Sequence, residues 1–217
     1  NITIEQIARA ELSEAQAARF LPVSRRDLEE LEGFLEHLVA EVYDPALKGL
    51  LERLLGDREL RAQLRRAPCS LPSSAGAVRA SSHHAFLGGL LEHTVAVATL
   101  AVDLCAVHPR LDRDLLLSAA IVHDLGKTRE YTYGAEIARS DEGRMLGHVE
   151  LGLRLIASHA PSTLSSERRL ALEHCVLAHH GPDGSSQRFA SPEALALYRL
   201  NALDASVKGA FEQGLGL

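Results

Sequence analysis

Five stretches of this chain carry apolar residues at helical spacing, and each places an ionisable side chain on its apolar stripe. Near the end of the chain Leu197, Leu200, Val207 and Phe211 recur at three–four spacing, and Asp204 shares their stripe. His148 shares a face with Leu151 and Leu155, and His123 follows Leu116 and Ala119 or Ala120. His179 follows Leu172, Cys175 and Val176, and His93 stands inside Gly88 to Val107, which is apolar nearly all round. Burying one such group without a partner costs roughly 2–7 kcal/mol, and an unpaired charge costs more. Five of them pointing into one core are tolerable only if they meet one another. A divalent metal resolves the problem, since neutral imidazole and carboxylate are its ordinary ligands. The competing expectation is a set of separate core histidines, each hydrogen-bonded on its own.

The rest of the pattern predicts an all-α fold. Ser24, with Asp27 three residues on, has the form of a capping box before Leu28, Leu31, Leu35, Leu38 and Val42. Asp44-Pro45 opens a second helix to about Leu55, and Arg58 to Arg66 is a short basic third. Residues 67–82 are rich in Pro, Ser, Gly and Ala and predict a loop. A buried central helix follows from Gly88 to Val107, then another from Asp112 or Arg113 to Asp124, ending near Gly126. β-formers around Gly134, in residues 130–143, suit one small hairpin. Helices are predicted over 145–159, 166–180 and 192–212, with a break at Gly181-Pro182-Asp183-Gly184. The expected organisation is an N-terminal segment 1–23, a helical extension and loop 24–80, and a main helical domain 81–217. The opening Asn1 to Ile7 alternates like a short strand, and Phe20-Leu21-Pro22 reads as a break.

Composition narrows the function classes. The formal charge is 23 − 29 = −6, which argues against coating nucleic acid or a membrane surface. Three cysteines without a C-x-x-C make a disulfide framework or Cys-rich zinc site a poor fit, and reduced thiols in a cytoplasmic setting are the expectation. No signal peptide is visible, and the longest apolar stretch, Val95 to Val107, is interrupted by Asp103 and too short to span a bilayer. P-loop, Rossmann and G-x-S-x-G patterns are absent. Arg58, Arg61 and Arg65 share a helix face, followed by Arg66 and Arg79, and form either a phosphate-contact strip or a solvated face. Aromatic residues are only 4%, which leaves few rings for base stacking. His37 and His108 read as surface residues, and His159 and His174 as structural ones. Cys175 beside His174 is a weak thiol-nucleophile candidate, because helix neighbours do not face each other.

His93, then His123-Asp124, then Asp204 resembles the H…HD…D signature of the HD-domain metal-dependent phosphohydrolase superfamily, with the doublet in Ile121-Val122-His123-Asp124-Leu125-Gly126-Lys127. The bracketing segments are similar more narrowly to bacterial 3′–5′ exoribonucleases that join an OB-fold to an HD domain. These are His83-His84 through His93-Thr94, Gly143 to His148, His179-His180-Gly181, Gly184-Ser185, Ser191-Pro192 and Ala202 to Ala205. Phe20-Leu21-Pro22 resembles that family's junction between the two domains. Only 19 residues precede Phe20, so the expectation is either a fragment, with Asn1 to Ile7 able to be the last strand of a missing OB-fold, or an HD protein without that RNA-gripping module.

The resemblance implies an HD-domain helical bundle and a first metal on His93, His123, Asp124 and Asp204. In two-metal members the second ion is held at the places of His148 and His179, with the doublet's Asp, here Asp124, bridging. His180 is an alternative ligand or a phosphate contact. One or two divalent transition ions (Mn, Fe, Co, Ni or Zn) suit such donors. Lys127 either holds a phosphate oxygen or the nucleophile, or is a helix-terminal lysine facing the dipole. His83 and His84 either contact substrate or are solvated loop residues. Glu92 flanks His93 but points about 100° away on a helix, which suits salt-bridge duty. The implied activity is metal-dependent hydrolysis of a phosphoester in a nucleotide, a phosphorylated small molecule or an RNA 3′ end. A true 3′–5′ exoribonuclease lacking its OB part and a non-catalytic nucleotide-sensing module remain as alternatives.

Overall fold

In the computed structural model, residues 11–72, 83–181, 189–212 and 214 are described. The chain is mostly helical with one small hairpin, as the periodicity predicts. In order, the elements are α1 (Glu14–Ala17), a 3-10 turn (Ala18–Phe20), α2 (Leu28–Ala40), α3 (Pro45–Gly56), α4 (Arg58–Arg66), α5 (Gly89–Val107), α6 (Arg113–Val122) and α7 (Lys127–Glu130). There follow β1 (Tyr131–Tyr133), β2 (Ile137–Arg139), α8 (Asp141–Met145), α9 (Gly147–His159), α10 (Ser166–Ala178) and α11 (Pro192–Glu212). β1 and β2 pair antiparallel, Thr132 opposite Ala138. The expected terminal strand at residues 1–7, Arg79 and the turn at Pro182-Asp183-Gly184-Ser185 lie outside the described residues.

α5 is the centre of the bundle, packed by α2, α4, α6 and α11. Leu90, Leu91, Val97, Ala98 and Ala101 of α5 are fully buried among Leu31, Leu116, Ile121 and Leu197. By length and composition α5 could cross a membrane, being 19 residues with a mean hydropathy of 1.7. That corrects the expectation drawn from residues 95–107 alone. Its most apolar window is 56% buried, with neighbours that supply its apolar surroundings.

Local signals mostly act as read, with three differences. Asp27, not Ser24, caps α2, accepting from the backbone N–H groups of Glu29 and Glu30. Ser24 Oγ instead donates to Glu92 Oε2 at 2.7 Å, tying the entry of α2 to α5. The stretch expected as one helix over 145–159 begins only at Gly147, after the separate α8. Its positive φ of 72° makes the turn between them. In α11, Leu197 and Leu200 are buried but Val207 and Phe211 are exposed, so the buried stripe runs Ala194, Leu197, Asn201.

The Phe20-Leu21-Pro22 break is stapled to the segment before α5. Ser24 N–H donates to the Leu87 carbonyl at 2.8 Å, and Leu87 N–H to the Pro22 carbonyl at 2.9 Å. Arg61 and Arg65 of α4 pair with Glu32 on α2, and Arg61 also with Glu36 at 2.7 Å. The basic strip is therefore largely an ion-paired helix face.

Candidate metal centre

The ionisable groups of the apolar stripes do meet. His93 projects from α5, and His123 and Asp124 lie in the turn that ends α6. His148 comes from the first turn of α9, and His179 and His180 from the end of α10. His93, His123, Asp124 and His179 are each at most 1% exposed.

Asp124 stands between two groups. Its Oδ2 lies 3.3 Å from His123 Nε2 and 3.6 Å from His93 Nε2. Its Oδ1 lies 3.4 Å from His179 Nε2 and 3.6 Å from His148 Nε2. Asp124, His148, His179 and His180 form one cluster able to hold an ion, and His148 Nε2 is 2.8 Å from His180 Nε2. His93 and Asp204 form another with His83 and His84, and Cys69 stands with His93 and Asp124 in a third. Asp204 is on the far edge of the His93 ring, with its Oδ2 2.6 Å from Nδ1. On the inner edge, from the same helix, Asn201 Oδ1 lies 3.0 Å from His93 Nε2.

Hydrogen bonds around the rings fix which nitrogens face inward. The Ala120 carbonyl accepts from His123 Nδ1 at 2.8 Å, and the Val176 carbonyl from His179 Nδ1 at 2.5 Å. A neutral imidazole has one proton, so both Nε2 atoms present lone pairs to Asp124. Asp124 Oδ1 and His179 Nε2 are buried without a hydrogen-bond partner. Two buried acceptors facing each other without a partner repel, and a cation between them relieves that repulsion. This donor set therefore fits a divalent transition metal.

The electrostatics agree. Burial alone would raise the Asp124 carboxyl, but the ammonium of Lys127 holds it well below the usual range. Lys127 Nζ donates to Asp124 Oδ2 at 2.7 Å; burial would lower its pKa, yet Asp124 raises it above the ordinary lysine value. Burial lowers His179 to about 4 despite the pull of Asp124. Burial and the neighbouring His93 hold His83 down at about 3 and His84 at about 2. These histidines are neutral ligand-type rings at physiological pH.

His83 and His84 are buried, at 8% and 1%, so they are not solvated loop residues. His83 lines the cavity over the centre, whereas His84 is held behind it at a positive φ of 50°. Its N–H donates to Glu212 and its carbonyl accepts from Cys69 N–H. Glu92 does serve as an ion-pair partner, accepting from Lys208 Nζ at 2.5 Å. Cys69, Cys105 and Cys175 are free and buried. Burial raises the Cys175 thiol to about 12, which leaves it without nucleophilic character. His37 and His108 are exposed, His174 accepts from Ala190 N–H, and His159 contacts Asp57.

A cavity of about 330 Å³ opens over the cluster, walled by Cys69, Ser70, His83, Lys127, Glu130, Tyr131, Arg139, His148, His179, His180, Tyr198 and Asn201. Glu130, Asn201 and Cys69 were not singled out from the sequence. Asn201 had a signal, lying four residues after Leu197 on the buried stripe. Glu130, whose Oε2 is 3.0 Å from His148 Nδ1, had none.

Residues 90–206 match the family model of the HD domain. Among curated proteins, the chain is similar to the 3′–5′ exoribonuclease YhaM of Bacillus licheniformis, at 38% identity over 129 residues, covering 58% of this chain and 41% of that protein. It is 36% identical over 129 residues to the protein of that name from Bacillus subtilis, covering 58% and 41%. It is 28% identical over 199 residues to that of Oceanobacillus iheyensis, covering 90% and 59%. The chain thus spans about two-fifths to three-fifths of the length of these curated relatives. No solved structure matches the chain significantly.

Proposed function

The chain belongs to the HD-domain family, and from that premise we propose that it hydrolyses a phosphoester of a nucleotide or RNA with metal-activated water. The observation that carries this is the position of Asp124, whose two oxygens face two separate groups of imidazoles. One carboxylate shared in this way suits two divalent ions. His93, His123 and Asp124, completed from α11, would hold the first. Asp124, His148 and His179, with His180 at the mouth, would hold the second. Bound there, such ions lower the pKa of water to yield a nucleophile near neutral pH and stabilise charge on a phosphoryl group.

The chain's own residues supply the rest. The carbonyls on His123 and His179 orient those rings, and Glu130 Oε2 stands 3.0 Å from His148 Nδ1 as a charge partner for it. Lys127 on the cavity wall holds a non-bridging phosphate oxygen, and Arg139 at the rim adds a second cation. His180 touches His148 and lines the cavity, and burial with the neighbouring His179 holds its pKa at about 2, so it meets substrate as a neutral ring that accepts a hydrogen bond. His83 contributes a neutral wall to the substrate. The cavity volume lies at the small end of the range for small-molecule sites, which suits one nucleotide unit rather than a duplex.

The names of the curated relatives favour a second reading, removal of nucleotides from an RNA 3′ end. A labelled RNA ladder assay with added Mn²⁺ tests both. Stepwise shortening supports the exoribonuclease. Release of phosphate or nucleoside only from small nucleotides supports the broader phosphohydrolase. A purified protein that binds no transition metal and hydrolyses neither substrate overturns both.

A further inference from the structure

We infer that α11 completes the first metal set with the amide oxygen of Asn201, and that Asp204 instead positions His93 from behind. This rests on the metal-centre reading above and assigns two of its residues. Asp204 Oδ2 lies 2.6 Å from His93 Nδ1, and a carboxylate can only accept. The single ring proton therefore sits on Nδ1, and the Nε2 lone pair points inward. There it meets Asn201 Oδ1 at 3.0 Å, His123 Nε2 at 3.3 Å and Asp124 Oδ2 at 3.6 Å.

The amide orientation is fixed independently. Asn201 Nδ2 donates to the His179 carbonyl at 3.3 Å, which turns Oδ1 toward His93. Four acceptors from α5, the α6–α7 turn and α11 thus converge; Asp124 Oδ2 already accepts from Lys127 Nζ, whereas the hydrogen bonds of the other three place no proton between His93, His123 and Asn201. Buried acceptors so arranged need a cation. Asp204 is not part of this convergence. It lies three residues further along α11, about 4.5 Å along the axis, beside His84 Nδ1 at 3.8 Å. Its relation to His93 is that of a carboxylate fixing the tautomer of a ligating histidine. The first set then holds one carboxylate, Asp124, with neutral His93, His123 and Asn201, whereas ligation by Asp204 would give it two.

The test is metal binding, read apart from activity. Mn²⁺ is titrated into the full chain and its variants by equilibrium dialysis with elemental analysis, and Co²⁺ is substituted for its visible spectrum. Asn201→Ala is expected to lose one ion per chain, and Asn201→Asp to keep both with the first at least about tenfold tighter. Asp204→Asn is expected to keep both ions and the Co²⁺ band positions, with affinity weakened about 10–100-fold. Asn201→Asp is close to isosteric, so it keeps the test open if Asn201→Ala fails to fold. The inference is overturned if Asp204→Asn loses an ion or shifts the Co²⁺ bands while Asn201→Ala and Asn201→Asp bind like the unaltered chain. Absence of any bound ion in the unaltered chain overturns the metal-centre reading itself and this inference with it.

Discussion

Lys127 Nζ lies 2.7 Å from Asp124 Oδ2, and that same oxygen faces His123 Nε2 at 3.3 Å. The ammonium therefore balances the carboxylate that the metal centre needs. Removing it in Lys127→Met leaves Asp124 charged and unpaired in a dry core, which costs about 3–5 kcal/mol. A bound divalent ion supplies the missing positive charge. The expected result is a lower melting temperature in chelator and a larger Mn²⁺-induced rise than in the unaltered chain. Equal rises in both proteins would show that Lys127 and the ion do not share Asp124.

Asp124→Asn tests the shared carboxylate from the other side. One oxygen serves each imidazole group, so this change should empty both sites rather than one. Metal content should fall toward zero and turnover by at least about 10²–10³-fold. His37→Ala is the control, because His37 is exposed on α2 and belongs to none of the candidate metal groups; its stability should stay within about 0.5 kcal/mol. Retention of one ion by Asp124→Asn would separate the two sites and end the bridging assignment.

Gly126, two residues after the doublet, stands where a side chain has no room. A methyl there would stand 1.8 Å from the His148 carbonyl oxygen and 2.5 Å from Gly152 N. Both are α9 backbone, which cannot step aside alone. Gly126→Ala should destabilise the fold by about 3 kcal/mol or more in urea unfolding. It should also displace His148 and lower binding at the second site. A variant with unchanged stability and metal content would mean that α9 packs more loosely than this contact implies.

Much of the centre was legible because polar residues on apolar stripes are costly unless satisfied. That argument found His93, His123, His148 and His179 from spacing alone. It misplaced the buried stripe of α11, because Val207 and Phe211 look like core residues in sequence yet are exposed. The same stripe put Asp204 toward the core, where its Oδ2 lies 2.6 Å from His93 Nδ1, and passed over Asn201, whose Oδ1 lies 3.0 Å from His93 Nε2. Which ring nitrogen faces inward depends on carbonyls such as Ala120 and Val176, and no side-chain pattern encodes those. Ser24 mimicked a cap for a similar reason, its hydroxyl being taken by Glu92, 68 positions away in sequence.

A last prediction concerns the frame rather than the site. Arg168 on α10 donates to Asp112 Oδ1 at 3.0 Å and to Asp44 Oδ2 at 3.0 Å, and Asp112 caps α6 through Leu115 N–H. Asp44 caps α3, so one guanidinium joins three helices. Arg168, then the backbone N–H of Leu115, lowers the Asp112 carboxyl below its ordinary value of 3.8. A depressed carboxyl stabilises the fold fully above the unfolded-state value and loses that contribution as pH falls through the folded one. Asp112 is partly exposed, so solvent screening limits the contribution to about 1–2 kcal/mol. Arg168→Met should therefore lower stability by that amount at pH 7, and the gap between variant and parent should close below about pH 4. Urea unfolding from pH 7 to pH 3 checks it. A gap that stays constant over that range would mean that Arg168 stabilises by packing of its alkyl stem and not by its charge.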